Sequence, residues 1–261
     1  MNTALAILAH ALRMLMFQTS TTLRVLMPAM LLVLGCSIAI TVFAPDMLAL
    51  LQQPPAQMTT ASPRSALAFV VIGVVGLMGY ALMAIMWHRH VLLNGPERDA
   101  RRTPSPGIFL AYLGRAIAVG CLQFIAALPV YLLMGGLLAS VSPDATNSMM
   151  ETVLSLLVSW LLIWIALRFS VVLPAAALGR RMTVNQSWTL TKPVARELWG
   201  VALLLMGLNL LIYEVAHIAL PDTGALTLVL NTALFILEGL VFASVLTTLY
   251  GHLFEGRSLG Q

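Results

Sequence analysis

Near the start of the chain Leu5, Leu8, Leu12 and Leu15 recur at helical spacing, with His10 and Arg13 on another face. That pattern predicts an amphipathic helix over 3–18, lying in a membrane interface. Thr19 to Thr22 breaks it. From there apolar residues run almost without interruption over 23–44, enough to cross a hydrocarbon core that needs about 20 residues. Pro54, Pro55 and Pro63 interrupt the loop that follows, and Asp46 is placed to cap a short turn over 47–53. A second span is predicted over 66–88, where Gly73, Gly76 and Gly79 leave a smooth stripe for close helix packing.

The third apolar stretch, 107–140, opens at Ser105-Pro106, a good helix start with Ser as N-cap and Pro at the first helical position. It is too long for one perpendicular span. It is therefore divided into an interfacial turn ending near Arg115 and a third span from 116, bent at Pro129. A fourth span follows over 149–168 and can continue past Pro174. Thr183 and Gln186 have the spacing of a capping box, opening a short helix that contains Trp188. Lys192-Pro193 begins the fifth span, which runs to Leu220. Pro221 to Gly224 makes a tight turn, and 225–253 forms the sixth span.

Composition agrees with this pattern. The 261 residues are 60% hydrophobic and 9% charged, against roughly a quarter charged in soluble proteins, and the mean hydropathy is +0.94. Lipid is the expected solvent for most of the chain. The formal net charge of +4 points to the positive-inside rule rather than to nucleic acid, because only Arg64 among the basic residues falls in an outer segment. Asp46, Asp144, Glu151 and Asp222 lie on that outer side. Both termini are therefore expected in the cytoplasm. The run led by Arg24 and ending at Ala44 is too long for a signal peptide core and is read as a retained span. Cys36 and Cys121 fall within apolar runs and read as packing residues.

The inner ends of spans two, four and six read M-W-H-R-H-V-L-L, A-L-R-F-S-V-V-L and T-L-Y-G-H-L-F. Each is an apolar helix meeting the interface with an aromatic or basic residue. The expected fold is all-α: six transmembrane helices in three hairpins, each preceded by an interfacial amphipathic helix, in one membrane domain over 1–261. The repeat units would be 1–95, 104–181 and 182–256.

Arg168 closes a span, Pro174 follows six residues on, and the next helix ends S-W-x-L-T at Thr191. This pattern resembles membrane-domain families related to the glycerophosphoryl diester phosphodiesterase membrane region. W-H-R-H-V-L-L is similar to a signature of uncharacterised alphaproteobacterial six-span proteins of the same broad group. The resemblance covers 168–192 and, more loosely, the overall layout. It implies topology and a bacterial inner membrane. It does not imply phosphodiesterase activity, which belongs to a separate soluble domain missing from these residues.

Few residues offer chemistry. Glu238 lies near the middle of the sixth span, with Asn231 two turns away on a similar face and Asn209 at comparable depth in the fifth. An ionisable group there costs about 2.5–3.5 kcal/mol on insertion scales and should face protein or a wet cavity. It reads either as a proton-coupled or polar substrate site, or as an Asn-paired carboxyl locking two helices together. Glu214 and His217 share a face, but a di-iron site needs a second such pair and further carboxylates, so no metal or other cofactor is expected. An outward polar pair meeting headgroups or a partner fits them better.

His88 and His90 flank Arg89 at the inner boundary and read as interfacial anchors. Arg89, Arg115, Arg168, Arg180, Arg181 and Arg196 together read as a basic collar for anionic lipid, or as topology signal alone. Ser155, Ser159 and Ser170 lack a Gly-x-Ser-x-Gly context, and no two Asp share the spans. The expected function is therefore a non-catalytic scaffold, assembly factor or accessory subunit of a membrane complex, in contact with lipid and with a partner membrane protein. The alternative is a small transporter or lipid-handling protein using Glu238.

Overall fold

The computed structural model describes residues 2–17, 19–52, 60–94, 103–140, 148–219 and 225–259. They form helices α1 (Asn2–Phe17), α2 (Thr19–Phe43), α3 (Pro45–Gln52), α4 (Pro63–Leu92), α5 (Pro106–Ser140), α6 (Ser148–Phe169), α7 (Val172–Ala177), α8 (Val184–Leu190), α9 (Ala195–Ala219) and α10 (Ala225–Phe254). A 3-10 turn, Lys192–Val194, leads into α9. No strand occurs among the described residues, and six helices are long and apolar enough to cross a membrane. The protein is an all-α polytopic membrane protein. The turn expected at 221–224 and the acidic residues Asp144 and Asp222 lie outside the described residues.

Serine and proline set two of the starts. Ser62 caps α4, its Oγ accepting from the Ser65 amide at 3.3 Å, with Pro63 in the first turn. The second span therefore begins before the expected residue 66. Ser105 does the same for α5, accepting from the Ile108 amide at 3.4 Å. Asp46 is not the cap of its short helix. It stands in the first turn of α3, and its Oδ2 accepts from the Ser62 hydroxyl at 2.6 Å, which ties α3 to the start of α4.

Two findings bear on the expected interfacial elements, and the first is a correction. The first concerns α5, which is one continuous helix through Arg115 and Pro129, with no interfacial turn set apart from the span. A tilted helix accommodates excess length without breaking. The second adds to the reading of α1, one face of which packs into the core. Ala4, Ile7 and Ala11 are buried, Leu8, Leu12 and Leu15 pack beside them, and Leu5 is left exposed. This helix lies against both α9 and α10, which hardly touch one another. It wedges open the third hairpin. Small residues permit the approach: a Cβ on Gly200 would come within 2.9 Å of the Ala4 methyl.

The core sits at the basic end of the bundle, where α4, α7 and α10 finish. Buried residues gather over Met83 to Leu92, Leu167 to Ala177 and Leu240 to Tyr250. Towards the opposite end the helices expose apolar side chains such as Val70, Phe124, Leu132, Leu157, Leu211 and Leu226. The closest hairpin is α2 with α4, where Gly79 faces Leu32 and Val33 and Gly76 faces Cys36; Gly73, the third of the stripe, meets nothing.

Gly200→Ala should unseat α1 and lower stability in detergent by about 1–3 kcal/mol, since the Ala4 methyl has no rotamer to escape into. Gly207→Ala, on the same helix with open space beside it, should stay within about 1 kcal/mol of the parent or gain slightly. Thermal unfolding of the two variants side by side checks this.

Candidate functional site

Helix α6 ends at Phe169 with carbonyls that α6 itself cannot satisfy. The Ser187 hydroxyl of α8 donates to the Arg168 carbonyl at 2.7 Å. In return the Arg168 guanidinium donates to the Trp188 carbonyl at 2.7 Å and to the Thr191 hydroxyl at 3.2 Å. It also lies 3.6 Å from the Trp188 ring centroid, a cation–π contact in a desolvated place. This reciprocal clamp accounts for S-W-x-L-T: Ser187 caps, Trp188 is the platform and Thr191 closes the turn. The Thr183–Gln186 capping box forms as expected and starts α8 in register with it.

Arg89 makes an equivalent link. Helix α7 ends in a Schellman turn at Gly179 (φ 75), where the Arg180 amide bonds the Ala175 carbonyl and the Gly179 amide bonds that of Ala176, each at 2.9 Å. The Ala177 carbonyl is left over, and Arg89 Nη1 donates to it at 2.7 Å. Arg257, just past α10, makes the third link, with Nη2 2.7 Å from the Leu92 carbonyl and Nη1 3.3 Å from that of Val91 at the end of α4. Arg89 and Arg168 lie in the last turns of α4 and α6, Arg257 lies just past α10, and each donates to carbonyls at the end of another element. Positive charge is favoured at these helix ends.

The six arginines of the expected collar are therefore not equivalent. Arg89 and Arg168 are buried, at 5% exposure each, and turn inward rather than towards lipid. Arg115 donates to the Ala111 carbonyl of its own helix at 3.4 Å. Arg181 and Arg196 are exposed. Arg180 Nη1 donates to the Tyr250 hydroxyl at 3.0 Å and to Glu255 Oε1 at 3.1 Å. The Tyr250 hydrogen bond foremost, helped by the charge of Glu255, holds its pKa above the usual value despite partial burial. His88 and His90 are buried as well, and His88 Nδ1 meets the Thr247 hydroxyl at 2.7 Å while its ring tilts against Tyr112.

At mid-span Glu238 is half-buried, and no hydrogen bond joins it to Asn209 or Asn231, both of which are exposed. Its helical phase is informative. Glu238 shares a face with Val241 and Val245, which pack in the central cluster; Asn209 stands one turn beyond buried Leu205, and Gln123 one turn beyond buried Val119. Gln123, missed in the sequence, donates to the Leu162 carbonyl at 3.2 Å. Glu214 and His217 are both exposed, His217 stacking on Tyr213. Ser155 and Ser159 are exposed and Ser170 is buried in the turn after α6. Among the described residues no group of three or more His, Cys, Asp or Glu gathers as a metal site would require.

A tryptophan cluster also escaped the sequence reading. Trp164 stacks on Trp199 at 4.5 Å between centroids, and Trp160 meets Trp199 edge-on. Their indole nitrogens donate to the Ala195 and Trp199 carbonyls of α9. Trp160 and Trp164 at i, i+4 were the available signal. Comparison with family models, curated proteins and solved structures gives no match for this chain.

Replacing Arg89 by Met should strand the Ala177 carbonyl and cost about 1–3 kcal/mol. Arg168→Met should cost a similar amount and also quench-shift the Trp188 environment. Unfolding followed by tryptophan fluorescence tests both, and unchanged midpoints would remove these arginines from the structural account.

Proposed function

We propose that this chain is a non-catalytic scaffold, assembly factor or accessory subunit of a membrane complex. The observation that carries the reading is the third span. Only 6% of its most apolar window is buried inside the protein, against 39% for the fourth span. Gly114, Gly120, Gly135 and Gly136 of α5 would meet no protein atom even if each bore a Cβ. Glycine weakens a helix by about 1 kcal/mol relative to alanine, and in a membrane it is repaid where another helix packs closely on it. A stripe through Ile117, Gly120, Cys121, Phe124 and Leu128 offers that surface, so the occupant is a transmembrane helix of another membrane protein. Anionic lipid is the expected neighbour elsewhere.

Charge segregation supports a bacterial inner membrane with both termini in the cytoplasm. The three-unit division over 1–95, 104–181 and 182–256 is part of the same reading, and the links from Arg89 to Ala177 and from Arg168 to Trp188, each joining one unit to the next, support it. A second reading, a small transporter or lipid-handling protein, is favoured by one observation: Gln123, Asn209 and Glu238 each stand about one turn beyond buried residues on the same helix face.

Native membranes should yield a stoichiometric membrane protein with the chain in mild detergent, and a cross-linker on Cys121, which is exposed, should capture it. Gly120→Leu should dissolve that complex without unfolding the chain, while Glu238→Gln leaves it intact. A lone protein, with the Gly120→Leu variant indistinguishable from the parent, would reject the scaffold reading and move attention to Glu238.

A further inference from the structure

Where α4, the turn after α7 and the end of α10 meet, a cleft of about 740 Å³ opens at the basic end of the bundle. That volume is within the usual range of ligand sites. Leu92, Leu178 and Phe254 supply apolar walls, and Arg180, Arg257 and Glu255 supply charge. Glu255 stands between the two guanidiniums, 3.1 Å from Arg180 and 2.7 Å from Arg257. One carboxylate against two arginines leaves a net positive charge.

The arginines differ in what they have left to give. Arg257 spends both terminal nitrogens on the Val91 and Leu92 carbonyls and is fixed in place. Arg180 makes both of its bonds through Nη1 alone, to Tyr250 and Glu255. Its Nη2 and Nε have no protein partner among the described residues, and the side chain is 50% exposed. That unused edge is the planar pair of donors that matches two oxygens of a phosphate.

We propose that this cleft binds a phosphate-bearing anion, held bidentately by Nε and Nη2 of Arg180 with the charge of Arg257 behind it. The shared chemistry is the phosphate group, supplied by a phospholipid headgroup entering from the membrane or by a soluble phosphate compound. The apolar walls fit the glycerol and first methylenes of the former. This inference stands apart from the scaffold reading, since none of the residues of the exposed α5 stripe lines the cleft and it needs no partner protein.

The test is thermal unfolding of the purified full chain in non-ionic detergent, titrated with dihexanoyl phosphatidic acid, inorganic phosphate or dihexanoylglycerol. Phosphatidic acid should raise the midpoint, and Arg180→Gln should weaken its apparent affinity by about tenfold or more. Arg181→Gln, an exposed neighbour, should leave the affinity within about twofold. Arg180→Lys keeps the charge but loses the fork and should fall between, which preserves the test if Arg180→Gln folds poorly. A response to phosphatidic acid alone assigns the lipid headgroup, and a response to inorganic phosphate as well assigns a soluble phosphate compound. No response to either, an equal response to dihexanoylglycerol, or the same loss in the Arg181 and Arg180 variants overturns the site.

Discussion

A helix that stops inside or at the edge of a membrane leaves carbonyls that neither water nor its own backbone can satisfy, and this chain answers that constraint with arginine. Three guanidiniums, from Arg89, Arg168 and Arg257, each reach the last carbonyls of a neighbouring element. A buried unsatisfied carbonyl costs about 1–3 kcal/mol, and burying a cation without hydrogen bonds costs more. Each contact removes both penalties at once. The links run from α4 to α7, from α6 to α8 and from the residues after α10 back to α4. The basic end of the bundle is thereby closed into a ring by directional bonds, where lipid-soluble helices lack a hydrophobic drive to associate.

The rest of the architecture follows from that ring. Once the helix ends are pinned, close packing needs small residues near them, and the bundle supplies Gly79 against α2 and Gly200 against α1. The wedge α1 fills the space between α9 and α10 with Ala4, Ile7 and Ala11, and the tryptophans of α6 hold α9 through its backbone carbonyls. Away from the ring, inter-helix bonds among the described residues are fewer, such as Gln123 to the Leu162 carbonyl and Ser62 to Asp46, and many apolar side chains are exposed.

The Ser62-Pro63 start of α4 was missed because Pro63 reads as part of the loop, whereas span number, span order and the Ser105-Pro106 start were legible because each rests on local sequence: length of apolar run, or a cap within a few residues. The capping box at Thr183 was legible for the same reason. What failed has a common cause. Lipid and protein interior are equally apolar, so hydropathy cannot say which face of α1 meets protein, and the part of Ala4, Ile7 and Ala11 beside Leu8, Leu12 and Leu15 carried no signal. The same ambiguity hid the continuity of α5, since a tilted span and a span with an interfacial foot share one pattern. Arg89 was read as surface charge because its acceptor, Ala177, is far away in sequence and carries no signal in its side chain. The Gly179 turn that leaves the Ala177 carbonyl unbonded was readable in principle, as glycine just after a short apolar helix.

The separation of the arginines into two kinds bears on how any positive-inside signal in a membrane protein should be interpreted. Arg89 and Arg168 are spent on carbonyls, and a guanidinium whose donors are turned inward cannot also recruit a headgroup. Arg180 has a free edge beside a cleft, and Arg181 and Arg196 face outward. Topology requires only that the charges lie on one side, stability requires donors aimed at orphan carbonyls, and recognition requires donors left unused. The same residue type meets all three demands here at different positions, so a count of basic residues measures the first and says nothing of the others. Only the geometry of each fork separates them, and Arg180, with Nε and Nη2 unused beside the cleft, differs by that criterion from the inward-turned Arg89 and Arg168.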